Sequence, residues 1–447
     1  MPSSRRRRAY LLAAVLAGVL VIGGALATYL LLVRPPADVS DPGVAFEDRG
    51  PAEEARPKGR DRRVLWPTYG YTDARTRYLP TELGPPFRRV WSRGGSKLLE
   101  FQPVLAKQTL FFVTNAGEAV ALSARSGTVR WRKRVGRLSA SSPAWSRGRL
   151  FITSLSRRIT SLNAKNGRVR WSRDLPSRSE SSPLVRRGRV YFGTEDGTVY
   201  CLRASDGRTV WKHRARGPVK AALAYAGGRL FFGDYAGEVS ALRASDGRLA
   251  WRTSTGGRAL GRPGRFYSTP AVAFGRVYLG NTDGRVYSLS ARNGGVAWTR
   301  STGDYVYAAP AVARVPGTPP TVYIGSYDGR FYALDARSGR VVWTHQAGGR
   351  ISGAATVIGR VVYFSNLARK STTGLDARTG RPVFRFGRGA FNPAISDGKR
   401  LYITGYSSQY AFEPLRPAAR PSAGEPEPRR SRPRTRGGRA PRRAASR

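Results

Sequence analysis

The chain has 447 residues, and its 78 lysines and arginines against 28 aspartates and glutamates give a formal net charge of +50. The single cysteine, Cys201, excludes a disulfide within the chain, and the two histidines, His213 and His345, lack the spacing of a metal site. The charge is typical either of attraction to polyanions or of a solvated surface biased toward arginine, and both interpretations stay open.

The N-terminal segment predicts a membrane anchor. Arg5–Arg8 make residues 1–9 basic, and an uncharged, largely apolar run then extends to Val33. A helix of about 25 residues reaches about 37 Å, which is enough to cross a bilayer core of about 30 Å. The positive-inside rule then places residues 1–9 in the cytoplasm, makes residues 10–33 a single-pass signal anchor, and puts the rest on the extracytoplasmic side of the cell membrane. The alternative is a signal peptide cleaved after Ala25-Leu26-Ala27.

Two further segments have the composition of linkers. Residues 34–60 are rich in proline, glycine and charge, which predicts a flexible stalk. Residues 413–447 are mostly proline, arginine, alanine and serine without an apolar period, which predicts a disordered basic tail. Residues 61–412 remain for the folded domain.

A short pattern, Ala-x-x-Gly-x-x-x-Trp, recurs in that domain at nearly constant spacing. The first four copies are 40 residues apart, and the later gaps are 47, 45 and 41. A period of about 40 residues with short strands and glycine turns is typical of a β-propeller. The copies end at Trp131, Trp171, Trp211, Trp251, Trp298, Trp343 and, with phenylalanine in the tryptophan place, Phe384.

The sequence of each repeat predicts four antiparallel strands. In the repeat at residues 182–214, apolar runs alternate with turns at Arg187-Gly188, Asp196-Gly197 and Asp206-Gly207. Aspartate before glycine favours the positive φ of a tight hairpin, so these acids are turn formers. We expect the tryptophan of the fourth strand to pack between neighbouring blades.

The repeats predict an all-β, eight-bladed propeller of four-stranded blades. The eighth repeat stops after Tyr410-Ala411-Phe412, before an outer strand of its own. Residues 86–93, with Trp91 in phase with the series, are expected to supply that strand, because closing the ring removes an open sheet edge. We expect the centre of the ring to be empty and unreactive.

These repeats resemble those of the pyrroloquinoline-quinone-type propeller superfamily, and residues 66–70 resemble the segment that leads into its first outer strand. The resemblance implies one of two branches. One branch holds quinoprotein alcohol and glucose dehydrogenases with pyrroloquinoline quinone and Ca²⁺ at the axis. The other is a non-enzymatic scaffold typified by the outer-membrane β-barrel assembly lipoprotein.

The residues favour the scaffold branch. A single cysteine cannot form the adjacent-cysteine disulfide that the resemblance implies for the alcohol dehydrogenases, and most repeats lack long inserts. We therefore nominate no catalytic, cofactor-binding or metal-binding residue. His213 and His345 occupy equivalent places in two repeats, which indicates a structural position, and Cys201 is expected to be a small buried apolar residue.

Three functions stay open. The first is a monomeric, membrane-anchored scaffold that binds a protein or an anionic envelope polymer through its loops, with residues 252–267 and 314–320 as the longest candidates. The second is a quinone-dependent dehydrogenase of alcohols or sugars. The third is an electrostatic polyanion binder, for which an extracytoplasmic location makes nucleic acid an unlikely target.

Overall fold

The computed structural model describes residues 4–33, 37–48, 66–255, 264–392 and 394–415. They form one helix, α1 (Ser4–Val33), and eight sheets arranged as a ring of blades, which confirms the predicted propeller. In each blade the strands are antiparallel and are lettered A to D from the centre outward, because the A strands of neighbouring blades contact one another around the axis.

The first four blades each take their strands in chain order. Blade one consists of β3 (Val104–Ala106), β4 (Thr109–Val113), β5 (Glu118–Ser123) and β6 (Val129–Arg134), and blade two of β7 (Ala144–Ser146), β8 (Arg149–Ser154), β9 (Arg158–Asn163) and β10 (Val169–Asp174). Blade three consists of β11 (Leu184–Arg186), β12 (Arg189–Gly193), β13 (Thr198–Arg203) and β14 (Thr209–Arg214), and blade four of β15 (Ala224–Ala226), β16 (Arg229–Gly233), β17 (Glu238–Arg243) and β18 (Leu249–Ser254).

Blades five to seven follow the same order, and blade seven gains a short parallel strand, β1 (Tyr78–Leu79), beside its A strand. These blades are β19 (Ala271–Ala273), β20 (Arg276–Gly280), β21 (Arg285–Ser290) and β22 (Val296–Ser301); β23 (Ala311–Ala313), β24 (Thr321–Gly325), β25 (Arg330–Asp335) and β26 (Val341–Gln346); and β27 (Thr356–Ile358), β28 (Val361–Asn366), β29 (Ser371–Asp376) and β30 (Pro382–Phe386).

Blade eight joins the two ends of the domain. Its first three strands are β31 (Ile395–Ser396), β32 (Leu401–Thr404) and β33 (Gln409–Pro414), and its outer strand is β2 (Phe87–Arg93), which pairs antiparallel with β33. Trp91 lies opposite Ala411 in this pairing. The predicted closure by residues 86–93 is confirmed.

The repeated motif forms the joint between blades. Each D-strand tryptophan donates its indole N–H to the carbonyl of the motif alanine in the next blade, at 3.0 to 3.2 Å. Its ring covers the motif glycine of that blade, where an added Cβ would lie 2.5 to 2.8 Å from a ring atom. Alanine, glycine and tryptophan therefore recur together because each joint needs all three. Between blades seven and eight, Phe384 packs edge-on against Phe412 instead.

Part of the segment expected to be a stalk is packed on the ring. In residues 37–48, Asp41 N–H donates to the Ala297 carbonyl at 2.7 Å, and Thr299 N–H donates to the Val39 carbonyl at 3.0 Å. Phe46 stacks on Phe274 with ring centroids 5.4 Å apart. The open edge of β22 explains the difference, because its unpaired backbone groups accept another extended segment. Of the tail predicted for residues 413–447, residues 413 and 414 belong to β33 instead, because they pair with β2. Residues 34–36, 49–60 and 416–447 lie outside the described residues.

Helix α1 contains the segment predicted to be an anchor. Among the residues that the structure describes, however, no helix is both long and apolar enough to cross a membrane. The membrane span predicted for residues 10–33, and with it the membrane as a partner, is therefore not supported.

Candidate functional site

The alternation of strands gives the ring two distinct faces. The connectors from each D strand to the next A strand and the B–C hairpins lie on one face, here called the upper face; the A–B and C–D turns lie on the lower face. The described ends of connector 252–267, residues 252–255 and 264–267, belong to the upper face, and insertion 314–320 belongs to the lower.

The axis is filled from residues 66–79, here called the axial segment. Its backbone carbonyls accept N–H groups from the A strands of six blades at 2.7 to 2.9 Å; the donors are Leu105, Trp145, Tyr225, Val272, Val312 and Val357. Fourteen residues can reach six blades only at the centre of the ring. The expectation of an empty centre was wrong, because the axial segment, whose first residues resemble the family's lead-in to the first outer strand, occupies it.

Two fully buried arginines hold this segment in place. Arg75 donates to the Leu223 carbonyl at 2.9 Å and to the Thr68 hydroxyl at 2.7 Å. Burial, followed by the charge of Arg77, lowers the pKa of Arg75 to about 9. The Arg77 guanidinium lies 4.7 Å from the centroid of the Tyr69 ring, an energetically favourable cation–π arrangement.

A small cavity remains above the axial segment, here called the axial cup. Tyr69 lines its base, and the residue four positions before each A strand lines its wall in seven of the eight blades. Those seven residues are Glu100, Glu180, Lys220, Tyr267, Tyr307, Ser352 and Phe391; the eighth position is Ala140. Sequence reasoning missed this set, although its signal was a repeat position at which the side-chain type changes from blade to blade.

The one lysine of the axial cup is paired with two glutamates. The Lys220 ammonium lies 2.7 Å from one Glu180 oxygen and 3.3 Å from Glu195, and the Tyr267 hydroxyl donates to the other Glu180 oxygen at 3.0 Å. Burial alone would lower the pKa of Lys220, but the hydrogen bonds and charges of the two glutamates raise it. Burial, and then the charge of Glu180, raise the pKa of Glu100.

This arrangement does not fit a calcium site. Ca²⁺ needs several oxygen ligands, yet both oxygens of Glu180 already accept hydrogen bonds, and a cation, the Lys220 ammonium, lies beside them. Among the described residues, no group of three or more His, Cys, Asp or Glu side chains is placed to hold a metal ion. We therefore derive no reaction step through a quinone or a metal.

The other residues that the sequence singled out have structural surroundings. The side chain of Asp196 accepts the Thr198 N–H of its hairpin turn at 3.1 Å, as expected of a turn former. His213 and His345 lie on the D strands of blades three and six, where burial lowers the pKa of each. Cys201 is fully buried, as predicted, and burial raises the pKa of its thiol to about 12.

The two candidate loops are only partly open to a partner. In connector 252–267, Phe266 is fully buried, and the Arg265 guanidinium lies 5.6 Å from the centroid of the Tyr235 ring; Arg258 and Arg262 fall outside the described residues. In insertion 314–320, Arg314 pairs with Asp48 at 3.1 Å. The phenylalanine of the longer connector therefore belongs to the core.

A groove of about 850 Å³, here called the arginine groove, begins on the upper face between blades one and two and continues down the outer strands of blade two. Five arginines line it together with exposed apolar side chains, Leu138 and Val169 among them. The arginines are Arg134, Arg137, Arg157, Arg158 and Arg178. The groove thus brings arginines and apolar side chains together at the surface, and sequence reasoning did not single it out.

A family model described as outer membrane protein assembly factor BamB matches residues 82–194, 115–222, 178–385 and 309–405. No curated protein sequence matches the chain.

Solved structures share the fold. BamB from Moraxella catarrhalis has a TM-score of 0.61 and 18% identity, over 74% of this chain and 98% of that one. A europium-containing methanol dehydrogenase has a TM-score of 0.67 and 14% identity, over 78% and 98%. Quinohemoprotein alcohol dehydrogenase from Comamonas testosteroni has a TM-score of 0.67 and 13% identity, over 83% and 84%. Identities this low show a common fold and carry no argument about activity.

Proposed function

The chain belongs to the family of outer membrane protein assembly factor BamB, and we propose on that premise that it is a non-catalytic scaffold of the cell envelope that binds a protein partner. The observation that carries the proposal is that the axis of the ring is occupied by the protein's own residues. The centre of the ring is filled by the axial segment, and the carboxylate of Glu180 in the cup above it is already held by Lys220 and Tyr267.

Catalysis of the dehydrogenase type needs a carboxylate free to accept a proton close to a bound cofactor. Both oxygens of Glu180 accept hydrogen bonds, one from the Lys220 ammonium and one from the Tyr267 phenol, which disfavours its use as a base. A rigid ring with occupied central groups instead offers its faces for binding. We assign the partner to the arginine groove, which combines five arginines with the exposed side chain of Leu138.

The competing function is a quinoprotein dehydrogenase, since two solved dehydrogenases share this fold. The experiment incubates the purified full chain with pyrroloquinoline quinone and Ca²⁺ and assays dye reduction with primary alcohols and aldoses. In parallel, the chain is isolated from gently solubilised cell envelopes and the complex is sized. We expect no dye reduction and a complex of defined stoichiometry with an envelope protein. Dye reduction that depends on the quinone would overturn the proposal.

A further inference from the structure

We propose that the arginine groove binds an acidic segment of a partner protein in which apolar side chains alternate with carboxylates. The inference rests on the proposed scaffold function and adds to it a site and the chemistry of the partner. Three segments form the upper part of the groove: connector 135–140 between blades one and two, hairpin 155–157 in blade two, and connector 175–180, which contributes Arg178. Strands β9 and β10 of blade two continue it downward.

The groove carries more positive charge than its own acids neutralise. Arg158 pairs with Asp174 at 2.7 Å. For Arg137, Arg157 and Arg178, no carboxylate among the described residues lies within ion-pair distance. Guanidinium groups recognise carboxylates through two parallel hydrogen bonds, so these three exposed arginines are complementary to an acidic partner.

An unusual backbone conformation places one of these arginines at the rim. The B–C hairpins of blades one, three, four, five and six carry a glycine with φ between 76° and 87°; they are Gly117, Gly197, Gly237, Gly284 and Gly329. Blade two has Arg157 at this position, with φ of 55°, and blade seven has Lys370, with φ of 47°. A left-handed conformation is unfavourable for a residue with a Cβ, and such strain concentrates at functional positions. The fold of the other blades therefore does not require an arginine here.

The groove is held in one shape by hydrogen bonds between its walls. The Ser156 hydroxyl accepts the N–H of Arg137 at 2.8 Å and of Leu138 at 3.3 Å, and the Leu155 N–H donates to the Leu138 carbonyl at 3.2 Å. The third wall is tied to blade three, because the Glu195 N–H donates to the Arg178 carbonyl at 2.9 Å. A preformed site spends less free energy on ordering when a ligand binds.

The apolar residues of the groove decide between a peptide and a simple polyanion. Leu138, at the upper end of the groove, is 50% exposed, and Val169, at its lower end, is 47% exposed. A phosphate polymer would pair with the arginines and leave this apolar surface in water. A peptide with alternating carboxylates and apolar side chains would pair with the arginines and also bury Leu138, which adds a favourable hydrophobic contribution.

The test measures binding of labelled peptides to the full chain by fluorescence anisotropy at about 0.15 M ionic strength. The probe alternates glutamate and leucine; a second peptide alternates glutamate and serine, and inorganic polyphosphate serves as the polyanion. The groove variant is Arg137→Glu with Arg157→Glu. Its matched control is Arg208→Glu with Arg340→Glu, two exposed arginines on lower-face turns of blades three and six that give the same change in net charge.

We expect the groove variant to bind the glutamate–leucine peptide about tenfold or more weakly than the wild type does. The affinity of the control variant should differ from that of the wild type by less than about twofold. Leu138→Ala should lower the affinity for the glutamate–leucine peptide and leave the affinity for the glutamate–serine peptide unchanged. Arg157→Gly should weaken binding while making the protein more resistant to urea, since glycine relieves the left-handed strain. This last variant keeps the test valid even if the charge reversals fold poorly.

Equal weakening by the groove variant and its control would overturn the inference, as would failure of the wild type to bind the glutamate–leucine peptide. If the wild type bound the glutamate–serine peptide or polyphosphate as tightly as the glutamate–leucine peptide, the ligand would be a simple polyanion, and the proposed apolar–acidic peptide would be wrong. These outcomes are independent of dye reduction. Quinone-dependent activity would refute the proposed scaffold function. A failure of peptide binding without such activity would refute only the assignment of the groove as the binding site.

Discussion

The contact between each tryptophan and the glycine of the next blade can be tested with two glycines of blade three. Gly207 and Gly188 both have φ of 75°, so alanine is strained by the same amount at either position. At Gly207 an added Cβ would lie 2.8 Å from a ring atom of Trp171, whereas at Gly188 no atom lies within 4 Å. Gly188→Ala is therefore a matched control for Gly207→Ala.

The magnitude follows from two separate costs. The left-handed conformation costs an alanine about 1–2 kcal/mol at either position. At Gly207 the ring of Trp171 must also shift, and overpacking of this kind costs about 1–3 kcal/mol. Gly207→Ala should thus lower the free energy of unfolding by about 1–3 kcal/mol more than Gly188→Ala does. Effects on the unfolded chain cancel, because both variants replace glycine by alanine.

The assay is urea denaturation of the two variants and the wild type, followed by tryptophan fluorescence and circular dichroism. A double-mutant cycle completes it: with Trp171→Ala in the background, the cost of Gly207→Ala should fall to that of Gly188→Ala. Equal destabilisation by the two glycine substitutions in the wild-type background would refute the idea that the motif glycine exists to make room for the ring.

Three further predictions concern other parts of the ring. Trp211→Ala should cost about 3–5 kcal/mol of unfolding free energy in urea denaturation, and an unchanged midpoint would contradict the role of Trp211 in the joint. The free energy of unfolding should fall as the pH rises from 10 to 12. Burial raises the pKa of Tyr71 and Tyr191 to about 12, so these tyrosines ionise in that window only in the unfolded chain. Arg75 changes the stability in the opposite direction, but more buried tyrosines than buried arginines contribute. Urea titrations at pH 9 and 11.5 test this, and equal midpoints would contradict it. Phe46→Ala should accelerate hydrogen exchange of residues 37–48 with little change in global stability, and unchanged exchange would show that the stacking of Phe46 does not hold this segment.

The blades could be predicted from the sequence because one motif carries a whole joint. The motif alanine, glycine and tryptophan meet across neighbouring blades, so the spacing of the motif reports the number and order of the blades. Closure by β2 was predictable for the same reason, since Trp91 continues the period without strands of its own before it. Periodicity of this kind is a local signal with a direct structural cause.

The centre of the ring was not predictable in this way. Residues 66–79 occur once, and their hydrogen bonds go to backbone N–H groups that are distant in sequence, from Leu105 to Val357. The packing of residues 37–48 on β22 has the same origin: backbone pairing with an edge strand requires no particular sequence. Both segments are placed by the completed ring rather than by their own composition.

The candidate surfaces were missed because their members share a position rather than a motif. The axial cup collects one residue from each of seven blades, and the arginine groove collects three segments whose arginines are ordinary in so basic a chain. Aligning the repeats by their A strands would have revealed the cup, and comparing the hairpin turns would have revealed Arg157 in a glycine position.

The most direct test of a non-catalytic scaffold is thermal unfolding of the full chain with and without pyrroloquinoline quinone and Ca²⁺. A ligand at about 100 times its dissociation constant adds about 2.7 kcal/mol to the stability of the protein that binds it. We predict the same unfolding temperature in both samples, because Lys220 and Tyr267 already occupy the carboxylate of Glu180. A rise in that temperature that saturates at one quinone per chain would contradict the account.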